Sequence, residues 1–407
     1  MRVVNLTEYE EMRVPRHELS QDDALGIHST CSDWMDVEWP SPLNDNSYVF
    51  TPRDLVGQVP VTHDLYVRVA PKVPIANLFR MLEYAYDLKS FAFLEGDITC
   101  GSLDDMFDRL ANVLAKRVLS RLRQGLYRDY IGAQDQLPYV RGRIEIMRSL
   151  RSSARGATTL ACRYNEHTAD LDDNRILAAT LRMLPRAGLQ REDVVRRVRR
   201  AYRGMAGAVE ASPVLPEDCV GRTYHRLNED YRPMHGLCRF FLESCGPSAN
   251  EGEKGFIPYS LRMSNLFELF VASWLRERLP RRYLIEPHCR AGYDERGKTI
   301  FDIDLVLRDS ATGDVLAVLD TKYKRDASAS SDDVQQIVAY AATLRTTRAF
   351  LIYPSRNTRS EVYTAGDVHV RSLVFDVGED PDESGLAFVN GLLDCVGQSR
   401  PRQSDHN

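Results

Sequence analysis

Ile300-Phe-Asp-Ile-Asp-Leu-Val-Leu307, followed after a short gap by Ala317-Val-Leu-Asp-Thr-Lys-Tyr-Lys324, decides how this chain is read. Two apolar runs of β character, 302–308 and 315–320, flank the polar turn Asp309-Ser-Ala-Thr-Gly-Asp314, which is the pattern of a β-hairpin. Asp304 lies in the first run, and Asp320 and Lys322 close the second. Residues two apart on a strand share a face, so Asp320 and Lys322 project together. A hairpin that brings Asp304 alongside gathers two carboxylates and one ammonium. Two carboxylates can hold a hard divalent cation, and the lysine can orient or deprotonate a water beside it. Those groups suffice for hydrolysis of a phosphodiester bond.

Taken alone, an Asp…Asp-x-Lys pattern is weak, because its plain alternative is a solvated strand end with a surface ion pair. The neighbours sharpen it. Upstream, 264–279 reads as an amphipathic helix with apolar residues 266, 267, 270, 271, 274 and 275 at helical spacing. Glu268 sits inside that rhythm, where a carboxylate is costly to bury without a partner or a metal. Downstream, a second helix opens near Asp332-Asp333 and carries Gln336 and Tyr340 four apart on one face. Ala349-Phe-Leu-Ile-Tyr353 follows as a buried strand closed by Pro354. Asp302 shares a face with Asp304 and competes with it as a ligand.

The order helix, strand, strand, helix, strand resembles the core of the PD-(D/E)xK nuclease superfamily. The resemblance implies catalytic roles for Glu268, Asp304, Asp320 and Lys322, with Gln336 and Tyr340 in support. It favours Asp304 over Asp302, since the superfamily has an Asp followed by three apolar residues. Ile303 stands where the superfamily usually has Pro. The implied metal is Mg²⁺, with Mn²⁺ as an alternative, held by Asp304, Asp320 and Glu268.

The chain has 407 residues, 43% hydrophobic and 27% charged, which describes a globular protein of two or three domains. It has no run of eighteen apolar residues, and the N-terminus lacks an apolar signal core, so a cytoplasmic protein with no membrane partner is expected. The eight cysteines form no Cys-x-x-Cys pair; even Cys238 and Cys245 read as reduced thiols, and the nine dispersed histidines suggest no His-based catalysis. The net charge of −5 is unevenly spread: residues 1–60 hold 4 Lys/Arg against 11 Asp/Glu, and residues 115–205 hold 20 against 9. An acidic head and a basic middle fit a chain that meets a protein at one end and a polyanion at the other. For Arg196-Arg-Val-Arg-Arg200 alone, a solvated helix face is the better reading.

The expected architecture is mixed α/β: a β-rich acidic region over 1–75, a mainly helical basic region over 76–250, an α/β domain over 251–395, and a disordered tail over 396–407. Helices are expected over 75–96, 103–124, 171–184, 192–209 and 222–245, the last interrupted at Pro233, and a strand over 138–148. Gly246–Gly255 reads as the clearest loop and a domain edge. No G-x-x-x-x-G-K-[ST] occurs, so the chain is expected to bind no nucleotide itself.

A wider resemblance rests on several motifs in order. They are Leu65-Tyr-Val-Arg-Val-Ala-Pro-Lys-Val-Pro74, Leu78-Phe-Arg-Met-Leu-Glu-Tyr-Ala85, Gly125-Leu-Tyr-Arg-Asp-Tyr130 and Val140-Arg-Gly-Arg-Ile-Glu145. Tyr164 through Leu177, Phe267-Glu-Leu-Phe-Val271, Leu319 through Lys324, and Tyr353-Pro354 complete the set. Together they resemble the McrC family, the nuclease subunits of McrBC-type modification-dependent restriction systems, across about 60–355. The resemblance implies a chain that docks on a hexameric AAA+ GTPase through its N-terminal half, 1–250. It would stimulate that motor and cut double-stranded DNA whose modified base the partner recognises. The first 60 residues match no motif of the family.

Arg141-Gly-Arg143 admits two readings: a phosphate clamp or activating finger, or a bulge whose arginines pair with Glu166 or Asp172. Glu166, Asp170, Asp172 and Asp173 suit the start of a helix better than a metal cluster. Two other functions compete with a DNA nuclease: a non-catalytic adaptor that activates the GTPase, and an RNA-directed nuclease, for which no RNA-recognition module is visible.

Overall fold

Strand 65–70 alternates, with Leu65, Val67 and Val69 buried and Tyr66 and Arg68 half-buried, whereas 55–58 are buried throughout in the neighbouring strand 55–60. The computed structural model describes residues 2–89, 101–210, 212–245, 259–292, 300–324, 329–355 and 361–397. The chain forms two compact units, one of residues 1–106 with 244–407 and one of residues 107–243. Region edges expected at 75/76 and 250/251 therefore differ from the unit boundaries. The Gly246–Gly255 loop and residues 398–407 lie outside the described residues, while Val396 and Gly397 end a helix.

In the first unit, the N-terminal sheet runs in the order Arg2–Thr7, Leu65–Ala70, Leu55–Pro60, Tyr259–Arg262. The last of these strands comes from the C-terminal part of the chain and leads straight into the helix Met263–Arg278. A smaller three-stranded sheet, ordered Met12–Pro15, Ser47–Pro52, Met35–Glu38, lies beside it in sequence. Six strands make the larger sheet in the order Tyr283–Gly292, Ile300–Asp309, Val315–Thr321, Arg348–Tyr353, Val368–Val374, Val362–Ala365. The expected hairpin is its centre: Ile300–Asp309 and Val315–Thr321 pair antiparallel, and Arg348–Tyr353 then adds parallel. That parallel step needs a crossover, supplied by the helix Ser331–Thr343.

Two layers close on this sheet. Ile337, Tyr340 and Ala341 of the crossover helix bury one face against Ile303, Val318, Leu351 and Val370. Elsewhere in the unit an aromatic cluster joins the helices: Phe375 lies 4.8 Å from Phe270, 5.6 Å from Trp274 and 5.1 Å from Phe388, centroid to centroid. Gly385, in the helix Pro381–Gly397, has no room for a Cβ because the Trp274 ring occupies that space. Glycine is required there for close packing.

The second unit is built on Asp129–Leu137 and Leu160–Thr168, with a two-residue strand Arg143–Ile144, and on helices that include Asp172–Met183, Glu192–Met205 and Tyr231–Ser244. Three expectations are corrected here. The strand expected over 138–148 is short because a helix, Ile146–Ser153, takes over; Ile146 and Leu150 are four apart, a helical spacing hidden among β-branched residues. The helix expected over 222–245 starts only at Tyr231. Pro233 therefore falls in its first turn, where no intrahelical N–H is needed, and does not interrupt it. The helix from Glu192 ends at Met205 rather than 209. Among the described residues no helix is long and apolar enough to cross a membrane. The cysteines among them are free, and Cys238 and Cys245 are buried.

Candidate active site

The hairpin register pairs Leu305 with Leu319, so the next pair toward the open end is Asp304 and Asp320. Asp304 is fixed from across the hairpin: its Oδ2 accepts from the Thr321 backbone N–H at 2.9 Å and the Thr321 hydroxyl at 3.0 Å. Asp320 is only 1% exposed. The Lys322 ammonium stands 2.7 Å from its Oδ2 as an ion pair, and that oxygen accepts no hydrogen bond from any other described group. Strand pairing continues past the end of the strand through the Lys322 N–H, which donates to the Ile352 carbonyl at 2.8 Å.

Lys322 is gripped from the crossover helix as well. Its ammonium donates to Gln336 Oε1 at 3.0 Å, Gln336 Nε2 donates to the Tyr340 hydroxyl at 2.6 Å, and the Tyr340 ring packs edge-on against Phe301. Asp333 lies 3.7 Å from Lys322 and binds Lys324 at 2.6 Å, while forming a capping box with Ser330 at the helix start. Gln336 and Tyr340, four apart on one helix face, form a hydrogen-bonded chain that ends on the Lys322 ammonium.

Glu268 reaches the same neighbourhood from the helix Met263–Arg278, whose start is tied to Asp54: the Met263 N–H donates to its carbonyl at 2.7 Å and the Ser264 hydroxyl to its carboxylate at 2.5 Å. Burial first, then the negative charges of Asp304, Asp320 and Asp302, push the Glu268 carboxyl up to about 8. Burial and the repulsion of Asp304 likewise raise Asp320 to about 7, despite the adjacent ammonium. Burial opposes the charge on Lys322, yet Asp320, Asp333 and Asp304 hold it above its ordinary value, so the lysine is a cation at neutral pH. Mutually repelling carboxyls beside a cation are what a site poised for a further positive charge looks like. Asp302, two residues from Asp304, is exposed.

The acids are not gathered into a finished cage: among the described residues no group of three or more His, Cys, Asp or Glu is arranged to hold a metal ion. A Mg²⁺ ion takes one or two protein carboxylates and keeps waters and substrate phosphate oxygens for the rest of its shell. Asp304 and Asp320 suit direct ligation, and Glu268 suits contact through water.

Residues that sequence reasoning missed also enter the site. His288 Nδ1 lies 3.3 Å from Glu268 Oε1, and its φ of +51° is left-handed, a strained conformation for a residue within a strand. Pro287 beside it was the available signal, since proline inside a strand run marks an irregularity. Thr321 and Asp333 were visible only as members of the motif and the helix start.

In the second unit the Arg141-Gly142-Arg143 element is built around a left-handed glycine. Gly142 has a φ of +67°, and a Cβ there would meet the Arg163 carbonyl at 2.5 Å. Arg141 lies over the Tyr164 ring at 3.9 Å and pairs with Glu166 at 3.4 Å. Arg143 lies opposite Arg163 in the strand register. Asp172 and Asp173 occupy the first turn of their helix, where anions suit the helix dipole, but no side chain caps its start; Asp170 binds Arg175 at 2.8 Å.

A mixed α/β chain with an acid pair and an oriented lysine at the end of one hairpin is the class that fold and site define. The chain belongs to the family of McrBC 5-methylcytosine restriction system components, whose model matches residues 51–354. A curated relative, the type IV methyl-directed restriction enzyme EcoKMcrBC of Escherichia coli (strain K12), is 24% identical over 212 residues, or 51% of this chain. The match spans 60% of that relative's length. Among solved structures, the Thermococcus gammatolerans assembly of McrB AAA+ hexamers with bound McrC contains a chain of similar fold. It has a TM-score of 0.52 at 18% identity, with 96% of this chain and 100% of that one covered. The McrBC complex of the same organism gives 0.43 at 20% identity, over 69% and 88%.

Proposed function

We propose that this chain is the nuclease subunit of an McrBC-type restriction system: a Mg²⁺-dependent endonuclease that docks on a hexameric AAA+ GTPase and hydrolyses DNA phosphodiester bonds. The observation that carries the reading is the convergence of Asp304, Asp320, Lys322 and Glu268, with raised carboxyls around a lysine steered by Gln336. Asp304 and Asp320 are the residues that would hold Mg²⁺, which when bound would neutralise charge at the phosphate and make a water more acidic. Lys322, charged and oriented, positions the attacking water and stabilises negative charge developing on the phosphorus oxygens. Thr321 holds the Asp304 carboxylate through two hydrogen bonds. Glu268 would act as a further ligand, directly or through water.

Family membership supports the partner, as do features of the second unit. Tyr130, Tyr139, Val140, Ile146, Met147 and Leu150 are each between 57% and 67% exposed, an unusual concentration of bare apolar side chains in one segment. We read this segment as the docking element for the motor. The basic run of 115–205 offers backbone contacts that carry no sequence information. Recognition of a modified base falls to the partner.

The test is plasmid cleavage with the purified chain, Mg²⁺, GTP and the AAA+ partner, on methylated and unmethylated DNA. Breaks that need Asp320, the partner and nucleotide are expected. A second reading, an adaptor that activates the GTPase without cutting, draws on the ion pair that already fills Asp320 Oδ2. It predicts stimulated GTP hydrolysis without breaks under any condition.

A further inference from the structure

Tyr323 stands between the two lysines of the candidate site, and its side chain is turned into the protein, only 9% exposed. There it meets residues of the turn that follows the chain's first strand, Arg2–Thr7. Its hydroxyl donates to Glu8 Oε2 at 3.1 Å, across 315 positions of sequence, and its carbonyl accepts from the Tyr9 hydroxyl at 2.7 Å. The Phe267 ring, next to Glu268, packs 5.9 Å from the Tyr323 ring. One tyrosine therefore touches the lysine-bearing turn, the helix of the candidate acid and the turn after the N-terminal strand.

The Glu8–Tyr9 turn is itself an unusual piece of structure. Glu8 is fully buried, and its Oε1 has no hydrogen-bond partner, an expensive arrangement that a packing role alone does not require. Tyr9 adopts a φ of +59°, a left-handed conformation that a tyrosine rarely takes. The surroundings hold this strain in place: the Glu8 N–H donates to the Ala70 carbonyl at 3.0 Å and the Tyr9 N–H to the Pro52 carbonyl at 2.8 Å. The Lys72 N–H donates to Glu8 Oε2 at 3.4 Å. Strain and an orphaned buried oxygen concentrate where something must be held in one place.

We propose that Glu8 and Tyr9 are positioning residues for the nuclease site, acting through Tyr323 to fix the turn that carries Lys322. The proposal rests on the nuclease reading and extends it to the turn after the N-terminal strand. Glu8 grips the ring's hydroxyl and Tyr9 grips the backbone of the same residue. The lysine one position earlier is thereby denied the freedom of a strand end. Asp54 performs the matching task at the start of the Glu268 helix. A catalytic group displaced by about 1 Å loses one to two orders of magnitude in rate, so the clamp is a kinetic device rather than a stabilising one.

The test uses the full chain assembled with its AAA+ partner, Mg²⁺ and GTP, comparing Tyr323→Phe, Tyr9→Phe, Glu8→Ala, Glu8→Gln and Lys322→Ala. Tyr323→Phe and Glu8→Ala are expected to lower kcat for DNA cleavage about tenfold, with KM and stimulation of GTP hydrolysis unchanged. Amides 321–324 should exchange hydrogen faster in both. Tyr9→Phe should act in the same direction, and Glu8→Gln, whose amide oxygen still accepts from Tyr323, should cut like the unaltered chain. Should Glu8→Ala fail to fold, Tyr323→Phe, which deletes a single oxygen and keeps the ring, decides the matter. Wild-type cleavage by Tyr323→Phe with none by Lys322→Ala overturns the clamp and leaves the nuclease reading standing. A loss of GTPase stimulation in step with cleavage overturns it too, by marking the contact as structural. Undiminished cleavage by Lys322→Ala removes the nuclease reading, and the clamp with it.

Discussion

Lys322 is a cation suspended between Asp320, Gln336 and Asp333, and that suspension is what the proposed catalytic role needs and a surface ion pair lacks. An exposed strand-end lysine is worth little to stability or chemistry. This one is half-buried, with its charge sustained by three carboxylates. Replacing Lys322 with Ala is expected to slow cleavage by about 10²–10³-fold, the usual effect of deleting one preorganised charge from a transition state. Binding to the motor should be unchanged in a pull-down. Gln336→Ala, which frees the lysine without removing it, should cost about tenfold and leave the DNA KM unaltered. A full loss of activity in Gln336→Ala would show that the glutamine itself contacts the reacting groups.

At the scale of elements, the site depends on a hairpin, a crossover helix and a helix from the other layer meeting at one point. Gly385→Ala tests the layer contact. A Cβ there runs into the Trp274 ring, and overpacking of this kind costs about 1–3 kcal/mol. The melting temperature should fall, and cleavage should slow because Trp274 belongs to the same helix as Glu268. The hairpin, its turn and the Gln336–Tyr340 pair were legible in the sequence, because strand and helix periods are local properties. The rest was not local. Tyr283–Gly292, which flanks the hairpin and carries His288, follows no clean alternation and has a proline inside it. The 138–148 run looked like a strand through its β-branched residues, yet Gly142 at positive φ and the helical spacing of Ile146 and Leu150 cut it short. Glu8 and Tyr9 could not have been assigned to the site from sequence, since nothing in an N-terminal turn announces a contact 315 residues away.

For the whole molecule, the first and last parts of the chain form one folding unit, and the buried Glu8 couples its stability to pH. Burial is the main cause of that carboxyl's rise from 4.5 to about 8. The folded state therefore holds a proton that the unfolded chain releases, so this contribution is complete below about pH 4.5 and is lost as pH rises toward 8. Glu8→Gln removes the penalty. The variant should gain stability relative to the unaltered chain between pH 6 and 8.5, by up to a few kcal/mol, on the order of the pKa shift. Chemical denaturation across that range measures it, and parallel curves for the two proteins would mean that Glu8 does not titrate. The central claim is that this chain cuts DNA at the Asp304–Asp320–Lys322 site while its partner supplies recognition and motion. The most direct measurement follows plasmid breakage and GTP hydrolysis in one reaction of the reconstituted complex, with the unaltered chain and with Asp320→Ala. Breaks abolished by the substitution, with GTP hydrolysis stimulated equally by both chains, is the predicted result. Equal breakage by both, or stimulated hydrolysis with no breaks from either, would contradict it.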